Sequence, residues 1–118
     1  MILVVDDEPD FLEVVSFIIK KMGYEVITAA DGREALDLIR EKRPDLVFLD
    51  LHLPLIDGYE VNRRMKADEA LKNIPVIFTT AGRTRAAEEK IKGADADDYL
   101  IKPLESEDLL KKIKRFIG

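Results

Sequence analysis

The chain contains no cysteine, which excludes disulfide bonds, zinc–thiolate sites and thiol chemistry. This absence fits a reducing cytoplasm, which is the location we expect. No apolar run approaches the roughly 20 residues that span a bilayer, so we expect no membrane insertion. The first residues, MILVVDDE, lack the basic start and apolar core of a signal peptide. The net charge of −5 argues against non-specific binding to nucleic acid or to an anionic membrane.

The composition is that of a small globular protein, with 47% apolar and 36% charged residues among 118. No internal repeat, low-complexity stretch or linker interrupts the sequence. We therefore expect a single domain at residues 1–118 without an output domain, although the sequence leaves open whether the chain is part of a longer protein.

Short apolar segments alternate with segments of helical spacing. The first helical segment, between Pro9 and Gly23, carries an apolar stripe at Phe11, Val15, Ile18 and Met22. Asp31 followed by Glu34 resembles a capping box at the start of the second. Five helices are predicted, of which the fourth, Ala86 to Lys92, is short and polar, and the fifth is capped by Ser106. This alternation predicts an α/β fold with a doubly wound five-stranded parallel sheet and helices on both faces. The strands are predicted at Ile2 to Val5, Glu25 to Thr28, Leu46 to Leu49, Val76 to Thr79 and Tyr99 to Ile101.

Acidic residues follow two of these strands. Asp6 and Asp7 come after the first strand, and Asp50 comes after the third. A flavodoxin-like strand order, 2-1-3-4-5, makes the first and third strands neighbours, so the three carboxylates meet at one edge. Two carboxylates about 4 Å apart repel each other by roughly 4 kcal/mol at an effective dielectric of about 20. Protonation, a basic side chain or a hard cation must offset that repulsion.

Two further polar residues follow the remaining strands at the same edge. Thr80 comes after the fourth strand and Lys102 after the fifth. Clustered carboxylate oxygens suit Mg²⁺. A carboxylate can also attack phosphorus and form an aspartyl phosphate, whose developing charge a cation, a hydroxyl and a lysine can stabilise.

Four sequence blocks, MILVVDDEP, LVFLDLHLPLIDG, PVIFTTAG and DDYLIKPL, resemble the signature blocks of receiver domains. These domains are the phosphoacceptor modules of bacterial two-component response regulators. The resemblance covers the whole chain, and the spacings of 30 residues from Asp50 to Thr80 and 22 from Thr80 to Lys102 also match. It implies a single-domain regulator of the chemotaxis type.

The resemblance also implies a role for each residue at the acidic edge. Asp50 is expected to accept the phosphoryl group. Mg²⁺ is expected to bind Asp7 directly and Asp6 through a water, together with Asp50 and the backbone carbonyl of His52.

The residues after the last two strands have implied roles as well. Thr80 is expected to hydrogen-bond a phosphoryl oxygen, and Lys102 to pair with Asp50 before phosphorylation and with the phosphoryl group afterwards. The Lys102–Pro103 bond matches a position that is usually cis. Tyr99 matches the aromatic switch, whose ring moves between exposed and buried rotamers as Thr80 shifts.

The implied function is two-component phosphorelay signalling. A histidine kinase or a histidine phosphotransfer protein donates a phosphoryl group to Asp50, and the change reshapes a face near the fourth helix, fifth strand and fifth helix. A downstream protein binds that face, with no direct nucleic-acid contact. The protein is expected to catalyse only its own phosphorylation and dephosphorylation, so we do not expect an enzyme that acts on a separate substrate.

Simpler or different interpretations exist. Asp7 could cap a helix, Thr80 could bond backbone, and Tyr99 could pack at the sheet edge. A magnesium-dependent phosphohydrolase of the haloacid-dehalogenase type could also act through an aspartate, but it carries a second acid where this chain has His52. A receiver-like scaffold that is never phosphorylated is a third alternative, against which the complete acid set argues.

One segment departs from the family pattern. Residues 93–98 are two residues longer than the usual connection, which predicts a shorter fourth helix and weakens inference by analogy about that face. Gly82 lies at a position that can influence the lifetime of the phosphoryl group, and it offers no side chain to exclude water.

Overall fold

The computed structural model describes residues 1–82, 89, 93 and 96–118. The predicted fourth helix, residues 86–92, lies outside the described residues except for Glu89. Strands are found at β1 (Ile2–Val5), β2 (Val26–Ala29), β3 (Leu46–Asp50), β4 (Val76–Thr80) and β5 (Asp98–Ile101). Helices are found at α1 (Pro9–Lys21), α2 (Gly32–Lys42), α3 (Gly58–Lys66) and a C-terminal helix (Ser106–Ile117).

The five strands form one parallel sheet in the order β2-β1-β3-β4-β5, which confirms the predicted flavodoxin-like architecture. The register aligns the carboxyl ends of the strands. Val5 pairs with Leu49 across β1 and β3, and Thr80 pairs with Ile101 across β4 and β5. Residues that follow these strands therefore meet at one edge of the sheet.

Alternate strand residues point to opposite faces and build two hydrophobic clusters. Leu3 and Val5 belong to a cluster with residues of α2 and α3. Ile2 and Val4 belong to a second cluster with residues of α1 and the C-terminal helix. β1 is buried along its whole length, as expected for a central strand covered on both sides. Each large apolar side chain buried this way contributes about 1.5–3 kcal/mol.

The helix α1 follows the predicted pattern closely. It begins at Pro9, and the chain leaves it through Gly23, whose φ of 95° is unfavourable for residues with a side chain. The predicted stripe omitted Ile19, which is completely buried. Among the helices that the structure describes, none has both the length and the apolar character required to cross a bilayer.

Some element boundaries differ from the prediction. β3 and β4 extend to Asp50 and Thr80, so these two residues end the strands instead of following them. Ser106 does not cap the C-terminal helix, because the helix already begins at Ser106 and Glu105 occupies the capping position without a side-chain hydrogen bond. The predicted cap of α2 is confirmed, since the Glu34 amide donates to the Asp31 carboxylate over 2.7 Å.

Candidate functional site

The carboxyl edge of the sheet brings the predicted acids together but gives them different environments. Asp6 follows β1 directly and is completely buried, and Asp50 ends β3 with 7% of its surface exposed. Asp7 is exposed. Because β1 and β3 are hydrogen-bonded neighbours, Asp6 and Asp50 lie side by side.

Lys102 supplies the positive charge at this edge. Its Nζ lies 2.6 Å from Oδ2 of Asp6 and 3.5 Å from Oδ2 of Asp50. Its backbone amide donates to the Thr80 carbonyl over 2.8 Å, and its bond to Pro103 is cis. The resemblance implied a pairing with Asp50, but the short hydrogen bond goes to Asp6, which makes Asp50 the secondary partner.

An aromatic ring completes the surroundings of the ammonium group. The Nζ of Lys102 lies 4.5 Å from the centroid of the Phe11 ring on α1. A cation over an aromatic face contributes about 0.5–1 kcal/mol at partly exposed sites. Sequence reasoning assigned Phe11 only to the buried stripe of α1, and its spacing gave no signal of this contact.

The two central ionisable groups influence each other. Burial raises the pKa of Asp50; the charge of Lys102 opposes this rise, and the charge of Asp6 adds to it. Burial disfavours the charged form of Lys102, but its hydrogen bond to Asp6 and the charge of Asp50 outweigh burial and raise its pKa. The ammonium form of Lys102 is thus held firmly between two carboxylates.

Glu8 is an acid that sequence reasoning missed. Carboxylate oxygens of Asp6, Asp7 and Glu8 lie within 4.8 Å of one another, a grouping that could hold a metal ion. The Glu8 amide also donates to Oδ1 of Asp6 over 2.9 Å. The run of three consecutive acids was visible in the sequence, and the third could have been included. The carboxylate oxygens of these three acids are ligands that suit a hard cation such as Mg²⁺.

The segment after β3 passes very close to the site. The His52 amide donates to Oδ1 of Asp50 over 3.4 Å, while the imidazole side chain is exposed. At Gly58 a Cβ atom would lie 2.1 Å from the carbonyl oxygen of Asp50, so only glycine fits there. The neighbouring Asp57 caps α3 by accepting a hydrogen bond from the Glu60 amide over 2.9 Å.

The last two predicted residues lie at different depths. Thr80 is buried, with 6% of its surface exposed, at the end of β4. Tyr99 lies on β5 with 37% of its surface exposed, paired in register with Phe78. The structure therefore brings Thr80 to the acidic edge and leaves Tyr99 on the outer surface of the sheet's last strand.

These features, a doubly wound sheet with acids and a lysine at its carboxyl edge, agree with the sequence comparison. The chain belongs to the response regulator receiver domain family, which it matches over residues 2–114.

Individual relatives cover nearly the whole chain. The polar-differentiation response regulator DivK of Brucella anthropi is 37% identical over 117 residues, which are 99% of this chain and 95% of that protein. The chemotaxis protein CheY4 of Vibrio cholerae has a similar structure, with a TM-score of 0.89, 33% identity and coverage of 98% and 97% of the two chains.

A third similar structure contains a metal. It is the receiver domain of a sensor histidine kinase from Pseudomonas aeruginosa PAO1, with a magnesium ion coordinated in its active-site cleft. Its TM-score is 0.92 at 33% identity, with 99% of this chain and 96% of that chain covered. Fold and family are thus shared over nearly the whole length of these chains.

Proposed function

We propose that Asp50 accepts a phosphoryl group from a histidine kinase or a histidine phosphotransfer protein, with Mg²⁺, in two-component signalling. The surroundings of Asp50 carry this proposal. It is a nearly buried carboxylate, 7% exposed, with the ammonium of Lys102 3.5 Å away on one side. It lies at the edge where open parallel sheets bind their ligands. Such a carboxylate is suited to attack phosphorus.

The transfer forms one bond and breaks another. A carboxylate oxygen of Asp50 attacks the phosphorus, and the bond from phosphorus to the donor's histidine nitrogen breaks, with its electron pair remaining on that nitrogen. The nearby charge of Lys102 favours the anionic form of Asp50 that the attack requires. Lys102 can then pair with the transferred phosphoryl oxygens, and Thr80 can donate its hydroxyl hydrogen to one of them.

We propose that the acidic edge binds Mg²⁺ through the residues that the family resemblance implies. Both oxygens of Asp6 already accept hydrogen bonds, one from Lys102 and one from the Glu8 amide. Contact through a water therefore suits Asp6, whereas the exposed Asp7 can bind the cation directly. Asp50 and the backbone carbonyl of His52 complete the proposed set. The bound cation supplies positive charge that offsets the repulsion among the carboxylates and the phosphoryl group.

The output is a change of surface, not a released product. We place the downstream protein at the face expected near the fourth helix, fifth strand and fifth helix, of which the structure describes β5 and the C-terminal helix. Tyr99 lies there at a cavity of about 390 Å³ that Asp98 and Lys112 also line. Asp98 pairs with Lys112 and with Arg115 of the C-terminal helix, which ties the helix to the strand. Rotation of Tyr99 as Thr80 shifts would alter this face without rebuilding the sheet.

A phosphodonor protein that reaches Asp50 must contact the surface around the site, and the part of that surface on α1 exposes apolar side chains. Val14 and Phe17 on α1 are 58% and 62% exposed, on the same helix as Phe11, which contacts Lys102. A shallow cavity lined by Val14 and Phe11 continues to Pro103. We place the donor protein on this side of α1, because exposed apolar patches mark protein contacts.

The domain acts on itself and not on free substrates, and we place it in the cytoplasm. No observation favours the phosphohydrolase or the unphosphorylated scaffold. Incubation with acetyl phosphate and Mg²⁺, followed by intact mass measurement, tests the proposal. We expect the chain to gain one phosphoryl group, Asp50→Asn to gain none, and the exposed control Asp37→Asn to behave like the wild type. A wild-type chain that stays unmodified would refute the proposal.

A further inference from the structure

A basic cleft of about 460 Å³ lies between α2 and the segment that leads from β3 into α3. Arg33 and Arg40 of α2 and Arg64 of α3 line it, together with one acid, Asp37. The lining is therefore net positive on a chain whose net charge is −5. A local patch of opposite sign attracts acidic partners and repels basic ones.

Two of these arginines differ from the third in their contacts with the described residues. Within the described part of the chain, neither Arg33 nor Arg40 makes a side-chain hydrogen bond or an ion pair, and both are exposed. Arg64 differs, because its Nε donates to Glu60 over 2.8 Å. The guanidinium groups of Arg33 and Arg40 thus keep their donors available for the carboxylate oxygens of a ligand, which they can bind in pairs.

Leu55 stands at the same cleft in an unusual conformation. Its side chain is 76% exposed, and its φ of 68° lies in the left-handed region that disfavours leucine. Glycine would suit this backbone better, and a polar side chain would suit the exposure better. An exposed apolar side chain on a left-handed backbone is an outlier that motivates a hypothesis of binding.

The cleft is connected to the phosphoacceptor site through the segment that carries Leu55. This segment begins directly after Asp50 and packs against the start of α2. The Gly32 amide donates to the Pro54 carbonyl over 3.4 Å, and a Cβ at Gly32 would lie 1.8 Å from the Ile56 carbonyl oxygen. Because the segment packs this closely against Gly32, we expect a displacement of the segment at Asp50 to move the residues that line the cleft.

We propose that this cleft docks an acidic segment of a partner protein, with carboxylates on Arg33 and Arg40 and an apolar side chain against Leu55. The surface is separate from the face at β5 and from the exposed side of α1. Docking itself does not depend on phosphorylation. A dependence of its affinity on the state of Asp50 rests on the proposed function.

Fluorescence anisotropy with the labelled peptide Glu-Glu-Leu-Glu-Glu and the full chain tests the docking. We expect saturable binding that weakens as salt is added. Arg33→Glu and Arg40→Glu should each weaken it about tenfold, because they place like charges opposite each other. Lys72→Glu, the same charge change at an exposed lysine outside the cleft, should leave it unchanged.

A second variant separates a binding role from a structural one. Leu55→Gly should reduce peptide binding while the melting temperature stays equal or rises, because glycine relieves the left-handed backbone. Lower thermal stability with unchanged binding would assign Leu55 to the fold and contradict its proposed role.

Other outcomes are equally decisive. Equal binding of the peptide Gln-Gln-Leu-Gln-Gln, or unchanged binding by both arginine variants, would overturn the proposal. Binding to phosphatidylglycerol vesicles but not to the peptide would overturn it in favour of a membrane surface. After acetyl phosphate, with one added phosphoryl group verified by mass, a changed affinity supports the coupling and an unchanged affinity refutes it. A failure to phosphorylate bears on the proposed function alone, since docking is measured on the unmodified chain.

Discussion

The ammonium group of Lys102 donates a 2.6 Å hydrogen bond to Asp6, a carboxylate with no exposed surface. The two residues are 96 positions apart, and the parallel order of the sheet brings them to one edge. A buried carboxylate without a positive partner is costly. Lys102 therefore stabilises the acidic edge in addition to its proposed role beside Asp50.

Replacing this lysine should destabilise the fold. Lys102→Met leaves the carboxylate of Asp6 without its cation, and we expect the free energy of unfolding to fall by about 2–3 kcal/mol. The figure is below that of a fully buried pair because the lysine side chain is 17% exposed. Mg²⁺ should restore part of the loss.

Urea denaturation with and without Mg²⁺ measures the effect. Lys72→Met, at an exposed ion pair with Glu69, is the control and should cost less than about 0.5 kcal/mol. Equal stability of Lys102→Met and the wild type would show that Asp6 does not need its partner.

The raised pKa of Asp50 predicts a dependence of stability on pH. Burial raises this pKa despite the charge of Lys102. A carboxyl whose pKa is higher in the folded chain contributes stability below its unfolded pKa and loses it as pH rises through the folded value. Asp50→Asn is neutral throughout, so the variant should be the more stable protein at neutral pH.

That advantage should shrink as the pH falls through the raised pKa of Asp50, and it should be lost below the ordinary pKa of an aspartate. Denaturation of both proteins without Mg²⁺ across this range gives the comparison, and Asp37→Asn shows the effect of removing an exposed carboxylate. If Asp50→Asn were less stable than the wild type at neutral pH, the hydrogen bonds of Asp50 would outweigh its burial.

The close approach at Gly58 makes a further prediction. A Cβ there would lie 2.1 Å from the Asp50 carbonyl oxygen, so Gly58→Ala must displace the segment after β3. We expect a loss of about 1–3 kcal/mol in the free energy of unfolding and slower phosphorylation by acetyl phosphate. Gly82→Ala is the matched control, because a Cβ there meets nothing within 4 Å. Its stability should stay within about 0.5 kcal/mol of the wild type; similar losses in both variants would contradict the packing argument.

The exposed side of α1 should matter only for a protein donor. Phe17→Asp places a charge on the proposed donor contact without touching Asp50, and the ring is already 62% exposed. Transfer from a histidine phosphotransfer protein that phosphorylates the wild type should slow about tenfold, whereas phosphorylation by acetyl phosphate should not change. Single-turnover kinetics with both donors make the comparison, and equal rates with the protein donor would place docking elsewhere.

Periodicity and the positions of acids predicted most of the architecture. Apolar runs such as residues 2–5 predict central strands, because a strand buried on both faces has no alternation of apolar and polar residues. The last residue of a strand is harder to predict. Asp50 and Thr80 have polar side chains typical of loops, but they belong to β3 and β4, because the backbone hydrogen bonds of a strand do not depend on side-chain type. The prediction that Ser106 caps the C-terminal helix was wrong for a related reason. Serine suits a capping position, but the helix already begins at Ser106 and its capping residue is Glu105.

The finer features of the site depend on three-dimensional placement that no local pattern carries. Side-chain geometry determines that Lys102 donates its short hydrogen bond to Asp6 and not to Asp50. The position of α1 against the sheet determines the contact of Lys102 with Phe11. The close approach at Gly58 and the left-handed backbone of Leu55 follow from the path of one short segment between Asp50 and α3. Glu8 is the exception, because its position directly after Asp6 and Asp7 in the sequence was enough to predict it as a third acid of the site.

The identity of the phosphorylated residue tests the central claim most directly. Sodium borohydride reduces an aspartyl phosphate to homoserine, a change that peptide mass spectrometry can assign to one position. After acetyl phosphate and Mg²⁺, we predict homoserine at residue 50 alone and none in Asp50→Asn. Homoserine at Asp6 or Asp7 with Asp50 unmodified would contradict the account.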